Sequence, residues 1–170
     1  VDRLGSDVAS GDAARARLAI ALIDLTDLAD DRGAGGIDAL CGRAAQHGTA
    51  AVCIWPEHVG RCVERLAGSA VRVATVVNFP SGEEAVDVVV AQTDRALAAG
   101  ADEIDVVLPY RAFAAGDVDV AGALVAAVRA RISSPRLLKV ILETGALEPS
   151  AVAPAARLAI DFGADFVKTS

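Results

Sequence analysis

The chain has 170 residues, 54% of them apolar and 4% aromatic, and a formal net charge of −7. That length allows one domain with a substantial core, and the abundance of alanine and valine favours close helix–sheet packing over an aromatic-rich β-sandwich. The acidic balance argues against nucleic acid as a partner, which calls for a basic face, and no apolar stretch is long and charge-free enough to make the membrane one.

In chain order, the first stretch carries Asp2 and Asp7 and no apolar centre, so it does not read as a signal peptide. Short apolar runs then alternate with longer amphipathic ones. Strands are expected over Leu18–Leu25, Ala50–Trp55, Val71–Val77, Glu103–Leu108, Arg136–Leu142 and Asp165–Lys168. Helices are expected over Gly36–Gln46, Glu57–Leu66, Gly82–Ala99, Val120–Ala130 and Pro149–Phe162. Ser81-Gly82-Glu83-Glu84 reads as the cap opening the third of these, while Gly100 and Gly163 close two others. Gly100-Ala101-Asp102 and Gly163-Ala164-Asp165 occupy the same helix-to-strand position, an echo of repeated architecture.

Strands spaced in this way, each followed by a helix, predict a parallel α/β protein. A doubly wound sheet usually carries a Gly-rich turn after its first strand, whereas Asp24-Leu25-Thr26-Asp27-Leu28 has no glycine. The expectation is therefore a (β/α)8 TIM barrel with about six βα units present, residues 1–170 forming one partial barrel domain.

Sixteen residues are Lys or Arg, yet only Lys139 and Lys168 are lysines, and both interrupt apolar strand runs. An ammonium there must lose water and either pair with an acid or deprotonate. Only the neutral amine attacks a carbonyl, and guanidinium cannot replace it because it stays charged. Strand residues two apart share a face, which groups Ile20, Leu22 and Asp24; Glu103, Asp105 and Val107; Lys139, Ile141 and Glu143; and Phe166 and Lys168. Turned inward, Asp24, Asp105, Lys139 and Lys168 meet near the C-terminal end of the barrel, where such enzymes place their sites. Two buried salt bridges without chemistry are the alternative.

Cys41, Cys53 and Cys62 match neither a disulfide framework nor a zinc spacing, and read as reduced thiols of a cytoplasmic protein. Cys41 and Cys62 are expected in the core; Cys53, at a strand end, could be either core or pocket. His47 and His58 read as helix-surface or helix-end residues, Asp30-Asp31 as a solvated loop, and Trp55-Pro56 as a turn element or pocket wall.

The run Gly100 to Arg111 (Gly-Ala-Asp-Glu-Ile-Asp-Val-Val-Leu-Pro-Tyr-Arg) closely resembles the fourth-strand signature of deoxyribose-phosphate aldolases. Leu138-Lys139-Val140-Ile141-Leu142-Glu143-Thr144-Gly145 and Gly163-Ala164-Asp165-Phe166-Val167-Lys168-Thr169-Ser170 resemble the fifth and sixth. Asp24-Leu25-Thr26, Ala51 to Pro56 and Ala74 to Pro80 support the resemblance, which runs from about Leu18 to Ser170. It implies a metal-free class I aldolase without cofactor. Such an enzyme reversibly cleaves 2-deoxy-D-ribose 5-phosphate to acetaldehyde and D-glyceraldehyde 3-phosphate, so the expected partner is a phosphorylated sugar or aldehyde. The resemblance makes Lys168 the Schiff-base lysine and Asp105 the acid/base aspartate, and places Asp24, Cys53 and Lys139 in or near the pocket, with Thr169 and Ser170 beside the nucleophile. A second cation near Lys168 is expected to depress its pKa.

The family's second active-site lysine, on a seventh strand, and its phosphate loops find no match in these residues. Six strands leave two open edges, which invite pairing with another chain. The 170 residues alone are thus expected to be part of a longer polypeptide, to fold poorly or to associate, with little activity, and a homo-oligomer is compatible. The competing expectations are another Schiff-base barrel aldolase and a non-catalytic partial barrel acting as a binding protein.

Overall fold

The computed structural model describes residues 11–31 and 33–169. The acidic stretch behind the signal-peptide reading and the candidate site residue Ser170 lie outside the described residues. The described elements are α1 (Gly11–Ile20), β1 (Asp24–Asp27), α2 (Ala34–His47), β2 (Ala51–Ile54), α3 (Val59–Arg65), β3 (Arg72–Val77), α4 (Val86–Ala98), β4 (Glu103–Val107), α5 (Tyr110–Ala114), α6 (Val118–Arg129), β5 (Leu137–Ile141), α7 (Pro149–Asp161) and β6 (Phe166–Lys168). Single 3-10 turns lie at Pro56–His58 and Thr144–Ala146. No helix among the described residues is long and apolar enough to cross a membrane.

All six strands pair in parallel, in the order β1-β2-β3-β4-β5-β6. Sequential order without reversal is what a barrel wall requires; a doubly wound sheet reverses direction at a switch point. The sheet curls into part of a barrel, with β1 and β6 as its described edges.

Side-chain alternation divides each strand between two environments. Val52, Ile54, Ile104, Val106, Leu138 and Val140 are all 0% exposed and belong to one core with Leu40, Ala44, Val89, Leu124 and Ala159 of the helices. The small side chains of these helices let backbones approach closely. At Gly122 of α6, an added Cβ would lie 2.6 Å from the ring of Phe162, just past the end of α7.

The repeated Gly-Ala-Asp segments are a device for starting strands. Gly100 and Gly163 adopt positive φ (101° and 92°), which glycine tolerates without strain. The chain then turns so that Asp102 N–H donates to Val73 O and its Oδ2 accepts from Val73 N–H, at 2.8 and 2.9 Å. Asp165 does the same with Leu138, both bonds at 2.8 Å, and also receives Arg129 at 2.9 Å.

Two boundaries differ from the sequence expectation by more than three residues. Residues 18–20 finish α1, and β1 begins only at Asp24. Alanine, arginine and leucine are strong helix formers, and the helical bonding continues past the element through Ala21 N–H to Arg17 O. Apolar content alone did not mark where helix gives way to strand, so Ile20 and Leu22 do not share a strand face with Asp24. Likewise α4 begins at Val86, not at Gly82. Asn78, 1% exposed and at φ 57°, donates through Nδ2 to Val107 O and accepts Glu84 N–H on Oδ1, both at 2.9 Å. This bridge holds the chain in a turn, with Gly82 at φ 70° so close to Leu108 O that a Cβ would lie 2.6 Å from it.

Candidate active site

The second face of the strands carries the charges. Asp24 opens β1, Glu103 opens β4 with Asp105 two residues on, Lys139 is central in β5, and Lys168 ends β6. Asp105 is 0% exposed, Glu103 4% and Lys139 5%. Lys168 Nζ lies 2.5 Å from Asp105 Oδ2 and 3.2 Å from Asp24 Oδ2. Lys139 Nζ lies 2.5 Å from Glu103 Oε2, 2.6 Å from Asp24 Oδ2 and 3.4 Å from Asp105 Oδ1. Cys53 Sγ donates to Asp105 Oδ2 at 3.6 Å. Asp24 thus bridges both ammonium groups, joining residues 115 and 144 positions apart.

Paired in this way, Lys168, Lys139 and Asp24 favour their charged forms. Burial opposes the Lys168 ammonium, but Asp105 outweighs it and the pKa is raised above the ordinary lysine value. Lys139 is raised too, its burial overcome by Asp105, Asp24 and Glu103. Burial disfavours the Asp24 carboxylate, yet both lysines bring its pKa below the ordinary aspartate value. Burial, reinforced by Asp105, pushes the Cys53 thiol up to about 12, which keeps it protonated at neutral pH. Lys139 lowers the Lys168 pKa, as a second cation is expected to, but Asp105 prevails and the net shift is upward.

A cavity of about 660 Å³ reaches Asp24, Lys139 and Lys168 past Ile23, Arg72 and Phe166, residues at the N-terminal ends of their strands. The cluster lies inside the curled sheet, because strand stagger brings the start of β1 opposite the end of β6. Thr169 is exposed beyond β6 and takes no part in the ion cluster.

Glu103 is the participant that sequence reasoning placed on the right face without naming it a site residue. Its signal was available: it stands two residues before Asp105 in an apolar strand, where an unpaired carboxylate would be costly. Arg72 Nη1 approaches its other oxygen at 3.5 Å from the start of β3. Trp55 closes the end of β2 as a packing element, its Nε1 donating to Leu28 O at 3.0 Å and its ring meeting Phe79 edge-on. Cys41 and Cys62 are buried in α2 and α3, and among the described residues no group of His, Cys, Asp and Glu could hold a metal.

A family model described as DeoC/LacD family aldolase matches residues 18–170. The chain belongs to this family. Deoxyribose-phosphate aldolase from Agrobacterium fabrum (strain C58) is 48% identical over 159 residues, covering 91% of this chain and 61% of that protein. The chain thus spans about three-fifths of that curated relative. A Coccidioides immitis crystal structure assigned as a deoxyribose-phosphate aldolase superposes with a TM-score of 0.87 at 34% identity, covering 91% of this chain and 60% of that one. The tetrameric deoxyribose phosphate aldolase of Aeropyrum pernix matches at a TM-score of 0.81 and 24% identity over 91% of this chain and 64% of that one, a likeness of fold. Within the aldolase family, then, the described strands form a curled portion of a TIM barrel whose inner face carries the ion cluster.

Proposed function

We propose that residues 1–170 form one partial barrel domain carrying the Schiff-base half of a deoxyribose-phosphate aldolase site, with Lys168 as nucleophile and Asp105 as acid/base. The contact of 2.5 Å between Lys168 Nζ and a fully buried Asp105 carries this reading. Proton transfer from Lys168 to Asp105 or water gives the neutral amine, which attacks C1 of the open-chain sugar aldehyde. Loss of water leaves an iminium. Removal of the C3 hydroxyl proton breaks the C2–C3 bond, its electrons entering the iminium to give an enamine as glyceraldehyde 3-phosphate departs. Protonation at C2 and hydrolysis release acetaldehyde and return the amine. Asp105, directly or through water, carries these protons. Asp24, Lys139 and Cys53 line the same charged interior and set its electrostatics.

The ion pairs that Lys168 and Lys139 make with Asp105, Asp24 and Glu103 favour a second reading, a non-catalytic partial barrel in which the cluster is an internal staple. The two separate chemically. Incubation with deoxyribose 5-phosphate and borohydride, followed by peptide mass spectrometry, gives a reduced adduct on Lys168 if the amine is a nucleophile. The adduct forms faster as pH rises, since the neutral fraction grows toward the raised pKa. The 170 residues alone are expected to show little or no steady-state turnover, so trapping rather than turnover is the decisive readout.

A further inference from the structure

The two oxygens of Asp105 are unequally used. Oδ2 receives Lys168 Nζ at 2.5 Å and Cys53 Sγ at 3.6 Å. Oδ1 is buried and accepts no hydrogen bond among the described residues, although Lys139 Nζ is only 3.4 Å away. A buried carboxylate oxygen beside an ammonium normally captures it, because leaving an acceptor unpaired costs about 1–3 kcal/mol. Lys139 is held elsewhere, by Glu103 Oε2 at 2.5 Å and Asp24 Oδ2 at 2.6 Å. Glu103 is itself anchored from β3 by Arg72 at 3.5 Å.

We propose that Glu103 is a positioning residue that holds Lys139 short of a hydrogen bond to Asp105 Oδ1, so that one Asp105 oxygen serves Lys168 and the other remains able to accept a proton from the substrate hydroxyl or from water. The inference rests on the aldolase reading above and adds a residue to it. Among the described residues, the groups around Lys168 are Asp24 from β1, Cys53 from β2, Asp105 from β4 and Lys139 from β5, with Glu103 of β4 and Arg72 of β3 behind Lys139. Neutralising Glu103 lets Lys139 Nζ move the short distance onto Asp105 Oδ1. The ion pair of 3.4 Å between Lys139 and Asp105 then tightens into a direct hydrogen bond, and the hold of Asp105 on the Lys168 proton weakens.

The chain's two lysines make this measurable. In protein labelled with 13C-lysine, the Lys139 and Lys168 side-chain signals, each assigned by its loss on substitution, report the two charges as pH is raised. Glu103→Gln is expected to lower the Lys168 midpoint by about one unit. In a Lys139→Gln background the same change leaves the Lys168 midpoint in place, because the residue through which Glu103 acts is gone. An equal shift in both backgrounds would show a direct field effect, and no shift in either would show no linkage; each overturns the proposal. If Glu103→Gln fails to fold, Glu103→Asp, which keeps the charge but withdraws it, decides: a smaller downward shift supports positioning and an unchanged midpoint refutes it. Borohydride trapping on Lys168 runs alongside. Trapping without the titration shift removes Glu103's role alone, whereas the shift without trapping removes the aldolase reading.

Discussion

Burial works against the Lys168 ammonium, Asp105 offsets it so that the pKa is raised, and the stability of the fold inherits that balance. A raised lysine pKa contributes stability that is fully present below about pH 10.4, the unfolded value, and is lost as pH rises through the folded one. The lowered Asp24 pKa contributes stability present above about pH 3.9 and lost as pH falls through the depressed folded value. Urea unfolding followed by Trp55, the only tryptophan, should therefore show a broad plateau with losses at both extremes. Asp24→Asn should lower the plateau and remove this residue's part of the acid limb; an unchanged acid limb would show that Asp24 is not paired as described. Asp105→Asn should lower the Lys168 titration midpoint, because the nearest acid opposing deprotonation is gone. Lys139 and Lys168 were legible from sequence because ammonium groups in apolar strands demand partners. Which acid serves which amine was not legible, since that depends on the stagger between strands distant in sequence.

At the scale of elements, the repeated Gly-Ala-Asp shows how a weak sequence echo becomes a physical rule. Each aspartate returns two bonds to the first residues of the preceding strand, fixing where pairing begins and therefore which residues face inward. Asp165→Ala leaves Leu138 N–H without its acceptor and removes the ion pair to Arg129, with an expected loss of about 1–3 kcal/mol. Leu138, 0% exposed, faces the helices; Leu138→Ala should cost about 2–5 kcal/mol through the cavity it leaves. A loss below about 0.5 kcal/mol, the size of an ordinary surface change, would contradict that placement. Strand faces in β4 to β6 could be read from alternation because charge and apolar residues take turns. The first strand could not be bounded that way: Leu18 to Ile23 is apolar throughout, and helix propensity decided most of it. The late start of α4 was hidden for another reason, since it depends on Asn78 reaching the end of β4.

For the whole molecule, the strand order follows the chain, so each βα unit adds to the wall beside the last one. Alternating elements and the missing Gly-rich turn made that order legible in advance. The cluster then ties the wall together across its interior, Asp24 of the first strand holding Lys139 and Lys168 of the last two. Phe166 and Val167 on β6 are 56% and 42% exposed, and Ile23 beside β1 is 44% exposed. Among the described residues β1 and β6 have no second strand partner, and exposed edges with apolar side chains favour association. The 170 residues studied alone are expected to self-associate as concentration rises; sedimentation showing one monomeric species from micromolar to submillimolar concentration would contradict this.

The central claim is that Lys168 is a carbonyl nucleophile served by Asp105, and borohydride trapping with deoxyribose 5-phosphate tests it most directly. A reduced adduct confined to Lys168, growing with pH and diminished in Asp105→Asn, is the predicted result. An adduct on Lys139 instead, or none on Lys168 even at alkaline pH in folded protein, would contradict the account.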